Sequence, residues 1–91
     1  MNVDFVHDRP VRLGTATVRH GASGAVVRRA DTSVEAALNP TAFALWELCD
    51  GDTSVAEMVA AICQLFDVSP ERATSDVAHG MQQLRESGLI S

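Results

Sequence analysis

The stretch from Leu38 to Gly51 constrains the fold of this chain more than any other, because it predicts one short helix with both of its ends marked. Asn39 is a good N-cap, since its side-chain oxygen can accept a hydrogen bond from an amide of the first turn. Pro40 suits the first helical position, where a missing N–H costs nothing. Gly51 is expected at C′, in the left-handed conformation. The residues that recur at helical spacing predict an apolar face: Ala42, Leu45, Trp46 and Cys49.

Two further helices are predicted after Gly51. Ser54-Val55-Ala56-Glu57 is a capping box that opens a helix to about Phe66. Ser69-Pro70 repeats the cap-then-proline start, and the third helix is expected to end near Gly88. The apolar stripes are Val55, Met58, Val59, Ile62, Leu65 and Phe66 on the second helix, and Ala73, Val77, Met81 and Leu84 on the third.

Two features of this helical half have alternative interpretations. Gly80 lies inside the third helix, where glycine costs about 1 kcal/mol relative to alanine. It either permits close approach of another backbone or is a tolerated defect. Asp50 and Asp52 flank a glycine, but the other positions of that loop lack calcium ligands, so both are interpreted as turn residues.

Residues 11–38 predict three strands with turns between them. A β-branched run ends at His20, Gly21–Gly24 is a hairpin turn, and Asp31–Ser33 is a second turn. The second strand is Ala25–Arg29. The third strand, Val34–Leu38, would place Val34, Ala36 and Leu38 on one face, but Ala and Glu are poor strand formers, so this strand is expected mainly from a family resemblance. Residues 1–10 are expected to form an N-terminal arm, and residues 11–91 one domain. Strands followed by helices predict the α+β class.

Charge and composition exclude several functions. The net charge is −5, and residues 32–91 hold two Arg against nine acidic residues, which argues against a phosphate-binding surface. Residues 1–31 hold five Arg against three Asp. This basic third either attracts an acidic peptide or forms a solvated sheet face, and the second interpretation is favoured because scattered surface arginine is common.

No metal, cofactor or catalytic centre is expected. Cys49 and Cys63 lie on apolar helix faces and are interpreted as buried thiols, rather than as a disulfide or a metal site. The three histidines lack metal-ligand spacing, and no nucleophile–base arrangement is recognisable. No signal peptide is expected, because Met1–Phe5 has neither a basic region nor an apolar region, and no apolar run approaches the ~20 residues needed to span a bilayer. A cytoplasmic protein without membrane contact is therefore expected.

A family resemblance rests on the segments LNPTAFALWELCDG, TSVAEMVAAI and SDVAHGMQQLRESGLI, in this order and spacing. Together they resemble the PqqD-like family of leader-peptide-binding proteins, the RiPP recognition elements. The resemblance covers Val34 to Ile90. It implies a winged-helix-like arrangement and a non-catalytic protein that binds the leader of a ribosomally made precursor peptide by β-strand addition. It also implies a partner enzyme, either a modifying enzyme of the radical SAM type or a leader peptidase.

Carried onto this sequence, the resemblance implies a peptide-binding site on the third strand and the third helix. Arg72 and Asp76 either pair with charges of the leader or form an i,i+4 ion pair with each other. Lasso-peptide members often carry aromatic residues just before the Leu-Asn, whereas this chain has Ala36 and Ala37. The implied site residues are Val34, Glu35, Ala36 and Ala37 on the strand, and Arg72, Ala73, Asp76, Val77 and Gly80 on the helix.

Two other functions compete with leader binding. One is a winged-helix DNA-binding regulator, which would need a recognition helix rich in Lys and Arg. The second helix has no basic residue, so nucleic acid is not expected as a partner. The other is a structural or dimerisation domain, in which the same sheet edge pairs with a second copy as a homodimer.

Overall fold

The computed structural model describes residues 7–91. It has an α+β architecture in which a three-stranded antiparallel sheet is followed by three helices, as the sequence predicts. Phe5 and Val6, in the predicted arm, lie outside the described residues. The elements are β1 (Ala16–Gly21), β2 (Gly24–Arg29), β3 (Glu35–Leu38), α1 (Pro40–Leu48), α2 (Val55–Phe66) and α3 (Pro70–Glu86).

The sheet has the order β1-β2-β3, so β2 is central. Val27 pairs with Val18 on one side and with Ala36 on the other, and Val27 is fully buried. Because directly opposed residues project to the same face, this row marks the face toward the core. Arg28 and Glu35 are also opposed, and both are exposed, so they lie on the outer face.

The start of β2 requires glycine at position 24. Gly24 has φ +149°, and a Cβ built there would overlap the Leu38 carbonyl oxygen. The close passage of β2 against the end of β3 therefore depends on the missing side chain.

The three helix starts form as predicted. The Asn39 side chain accepts from the Ala42 N–H at 2.8 Å, and both hydrogen bonds of the Ser54–Glu57 capping box are present. Ser69 accepts from the Arg72 N–H at 3.1 Å.

The end of α1 differs from the prediction by one residue. Its C-cap is Cys49, so C′ is Asp50, and Gly51, with φ +83°, lies one position further along. Asp50 forms a bridge with Val11, and its side chain accepts from the Asp52 and Thr53 N–H groups. These hydrogen bonds hold the pKa of the Asp50 carboxyl below its ordinary value. Asp50 is thus a turn residue, as the sequence suggested.

The core lies between the inner face of the sheet and the helices. α3 packs against α1 and α2, and α1 lies against β2 and β3. The predicted face of α3 is fully buried, but the stripe predicted on α2 is not continuous: Leu65 is 65% exposed and Phe66 37%. These two residues end α2, where the chain turns away through Asp67 in the left-handed conformation.

The segment before β1, residues 8–12, lies against the end of α1 and the connection between α1 and α2. The Val55 N–H donates to the Asp8 carbonyl, and the Gly51 N–H donates to the Pro10 carbonyl. The Arg12 guanidinium donates to the Trp46 and Glu47 carbonyls at the end of α1 and lies 5.4 Å from the centre of the Trp46 ring. Residues 8–12 therefore hold the α1–α2 connection in place.

None of the helices described between residues 7 and 91 has the length and apolar character required to cross a membrane.

Candidate functional site

The hydrogen-bond alternation of the sheet determines which backbone groups of β3 face outward. The Arg29 N–H donates to the Val34 carbonyl at 2.9 Å, so this opposed pair is a hydrogen-bonded one. Such pairs alternate in antiparallel sheets. Ala36 and Leu38 therefore point their N–H and C=O groups at β2, whereas Glu35 and Ala37 point theirs away from it.

The edge formed by Glu35, Ala36 and Ala37, here the β3 edge, has no paired strand within residues 7–91. The Gln83 amide of α3 donates to the Ala37 carbonyl at 3.5 Å, which supports the conclusion that this carbonyl points away from β2. An edge of this kind presents unsatisfied donors and acceptors to which an extended peptide can add.

A groove of about 410 Å³ continues from the β3 edge between the start of α1 and one face of α3. It is lined mainly by polar side chains, so it suits a ligand that forms hydrogen bonds or ion pairs. Its lining residues are Asn39, Thr41 and Ala42 from the α1 side, and Arg72, Asp76, His79, Gly80 and Gln83 from α3.

The structure places most of the predicted site residues at this edge and groove. Glu35, Ala36 and Ala37 form the edge itself, and Val34 directly precedes β3. Arg72 and Asp76 line the groove and their side chains are 3.6 Å apart, so they form the i,i+4 ion pair. Because Arg72 is exposed and Asp76 is only half-buried, this ion pair is worth little and can be exchanged for a ligand contact.

Ala73 and Val77, predicted as peptide contacts, lie elsewhere. Both are fully buried in the hydrophobic core, on the side of α3 that faces the other helices. The helical period separates them from the groove, because Arg72 and Asp76, each one position earlier, turn outward. In this structure neither side chain has surface that a peptide can reach.

Gly80 permits close packing rather than being a tolerated defect. It lines the groove, and a Cβ built on it would overlap Cδ1 of Leu45, which is fully buried. The close approach is that of a side chain from α1, not of another backbone. Gly80 thereby sets the separation of the two helices that form the groove walls.

His79 and Gln83 line the groove, although neither was predicted from the sequence to contact a peptide. Together with Arg72 and Asp76 they follow the spacing i, i+4, i+7, i+11, which places all four on one face of a helix. This polar stripe beside the buried apolar stripe is the signal that identifies them.

The basic N-terminal third divides into two groups. Arg9 donates to the Asp52 carbonyl at 3.1 Å, Arg12 caps α1, and Arg29 pairs with Asp31 at 2.6 Å. The other two arginines of this third are exposed on the outer face of the sheet, at Arg19 and Arg28.

The two cysteines are free thiols. Cys49 is fully buried, and burial raises the pKa of its thiol to about 11, which suits the predicted inert core residue. Cys63 is half-buried, less than predicted. Within residues 7–91 no group of three or more His, Cys, Asp and Glu side chains is arranged to hold a metal ion.

Comparison with protein families gives a match to a family of biosynthesis proteins. The family is described as "Coenzyme PQQ synthesis protein D (PqqD)", and it matches residues 24–90, which is most of the chain. The chain belongs to the PqqD family. Membership indicates an accessory protein in the biosynthesis of PQQ or of ribosomally made and modified peptides. PqqD proteins work with peptides and with biosynthetic enzymes in those pathways. Comparisons of this PqqD family member with curated proteins and with solved structures give no match.

Proposed function

We propose that this protein binds the leader segment of a ribosomally made precursor peptide by strand addition at the β3 edge. The observation that carries the proposal is the outward direction of the Glu35 and Ala37 backbone groups beside an open groove. Backbone hydrogen bonds to these groups supply affinity, and the alternating side chains of the added strand supply specificity.

The groove supports the same proposal from the side of the helix. A peptide that pairs with β3 and extends past Ala37 enters the space between Asn39 and the polar stripe of α3. Gln83 already bonds the Ala37 carbonyl there, so peptide and helix side chains can exchange hydrogen bonds without stranding a buried polar group. Arg72 and Asp76 can contact leader charges in place of each other.

The protein acts in this proposal as a non-catalytic adaptor. It presents the bound leader to a modifying enzyme of the radical SAM type or to a leader peptidase. The motivation is family membership together with a groove suited to holding an extended chain.

DNA binding has no support from the structure. α2 carries Glu57 as its one charged residue, and α3 sets Arg72 and Arg85 against Glu71, Asp76 and Glu86. A helix without a basic surface cannot neutralise phosphates.

A proline substitution tests strand addition directly. Glu35→Pro deletes an outward N–H from the β3 edge and obstructs an approaching strand, but leaves the bonds between β2 and β3 in place. A net hydrogen bond contributes roughly 0.5–1.5 kcal/mol, and the disturbed geometry adds to the loss. We expect leader affinity to fall at least about tenfold. The measurement is titration of a labelled leader peptide from a precursor encoded beside this gene.

A matched control exists on the other edge of the sheet. The Ala30 N–H donates to the Thr15 carbonyl, so Ala16, the first residue of β1, points its N–H away from β2. Ala16→Pro makes the same change at the far edge and is expected to leave affinity unchanged. Arg72→Glu and Asp76→Arg test the groove and should each weaken binding.

Equal affinity of folded Glu35→Pro and the parent protein would refute strand addition at this edge. If the parent protein does not bind the leader but binds duplex DNA at physiological salt, the result would favour the DNA-binding regulator. Association of the parent protein into dimers that Glu35→Pro abolishes, measured by sedimentation, would instead assign the edge to a second copy.

A further inference from the structure

The outer face of the β3 edge carries an acidic side chain, that of Glu35. Glu35 is exposed and stands opposite Arg28 in the register, yet no ion pair within 4.0 Å involves it in the described part of the chain. Its backbone points outward, so an added strand places one residue directly across from it. The side chain of that residue must project to the outer face beside the Glu35 carboxylate.

The neighbouring position on the same face has a different character. Ala37 ends at its Cβ, and behind it on β2 stands the half-buried Val26. A depression of about 400 Å³ lies there. It is lined by both residues together with Leu38, Asn39, Arg19 and His20 of β1, and residues at the β1–β2 turn, and most of its surface is apolar. A long apolar side chain across from Ala37 can lie over the alanine and reach Val26.

We infer that Glu35 and Ala37 select the peptide residues whose side chains project to the outer face of the sheet. A basic residue is selected across from Glu35, and an apolar residue across from Ala37. In a peptide strand that adds antiparallel to β3, the residue facing Ala37 precedes the residue facing Glu35 by two positions. The ligand class is therefore an extended peptide with the pattern apolar-x-Lys/Arg. This inference rests on the proposed strand addition and adds to it the chemistry of the ligand.

The physical basis is the direct cross-strand pair. Opposite charges across a strand pair are favourable, and like charges directly opposite are unfavourable. Glu35 forms the middle of a row that runs from Arg28 through Glu35 to the peptide residue, so a Lys or Arg there gives alternating charges, whereas an acidic residue meets a carboxylate at close range. For the parent protein we expect Lys to bind about two- to tenfold more tightly than Glu at this position.

Selection from a displayed library of random heptapeptides tests the inference without a known leader. The parent protein should enrich an apolar residue followed two positions later by Lys or Arg. Glu35→Lys should enrich Asp or Glu at that second position and keep the apolar preference. Glu47→Lys is the matched control, because it makes the same charge change at an exposed position near the end of α1. It should select the same peptides as the parent.

The outcomes separate the inference from the proposed function. The parent and Glu35→Lys could enrich peptides with the same charge preference, while Glu35→Pro no longer binds those peptides. That result would overturn the inference but would still support strand addition. A charge preference that changes equally with Glu47→Lys would overturn it as well, since the effect would then follow net charge. Failure of the parent to enrich any peptide that depends on the β3 edge would overturn both.

Discussion

The packing of Gly80 against Leu45 predicts that Gly80→Ala destabilises the parent protein but stabilises a variant with a smaller side chain at position 45. Gly80→Ala removes a residue with poor helix propensity, which by itself should stabilise α3 by about 1 kcal/mol. The new methyl group, however, would overlap Cδ1 of Leu45, a side chain with no exposed surface into which it can move. Forcing a methyl group into a filled core typically costs about 1–3 kcal/mol.

The cost of overlap outweighs the gain in propensity, so Gly80→Ala should lower the free energy of unfolding by about 0–2 kcal/mol. Leu45→Val gives the matched background, because valine lacks the Cδ1 atom with which the new methyl group collides. In that background the same substitution should raise the free energy of unfolding by up to about 1 kcal/mol. The double-mutant cycle should then show a coupling of about 0.5–3 kcal/mol.

The assay is urea denaturation followed by the fluorescence of Trp46, the single tryptophan, which is half-buried beside Phe43. Four proteins are compared: the parent, the two single variants and the double variant. If Gly80→Ala stabilises the parent, or changes stability equally in both backgrounds, the contact with Leu45 does not explain this glycine.

Two further predictions concern the cap of α1 and its buried thiol. Asn39→Ala removes the acceptor of the Ala42 N–H and should lower the free energy of unfolding by about 0.5–2 kcal/mol, and an unchanged urea midpoint would contradict this role. Burial raises the pKa of Cys49 from its ordinary value of 9.0 to about 11, so the unfolded chain releases this proton first and stability should fall as the pH rises from 9.0 to about 11. The chain has no Lys or Tyr to titrate in that window, and the other thiol, Cys63, is present in both proteins. Cys49→Ala should therefore reduce the slope, and an unchanged slope would refute the assignment.

Local sequence signals were sufficient to predict the helices and the first two strands, because each depends on neighbours along the chain. The third strand was predicted mainly from the family resemblance, since Ala and Glu are poor strand formers. Asn39-Pro40, Ser54–Glu57 and Ser69-Pro70 each satisfy amides within the next turn, so their helices begin where predicted. The alternation in β3 likewise follows from the period of two. The end of α1 was misplaced because Asp50 bridges Val11, a contact across the domain that no local pattern encodes.

The candidate site was only partly predictable from the sequence. The family resemblance pointed to β3 and α3, but it did not separate Arg72 and Asp76, which line the groove, from Ala73 and Val77, which are buried. That separation depends on how α3 is rotated about its axis, which the packing of its apolar stripe against α1 and α2 decides. The same rotation brings His79 and Gln83 into the groove.

The sequence by itself determined the order of strands and helices, their starts and the acidic character of the helical half, since these follow from local hydrogen bonding, side-chain period and composition. Only the tertiary structure decided which backbone groups of β3 point outward, that Gly80 makes room for Leu45, and that Leu65 and Phe66 stay exposed. The physical reason is that register and packing join residues far apart in the chain, and the free energy of each such contact depends on both partners at once.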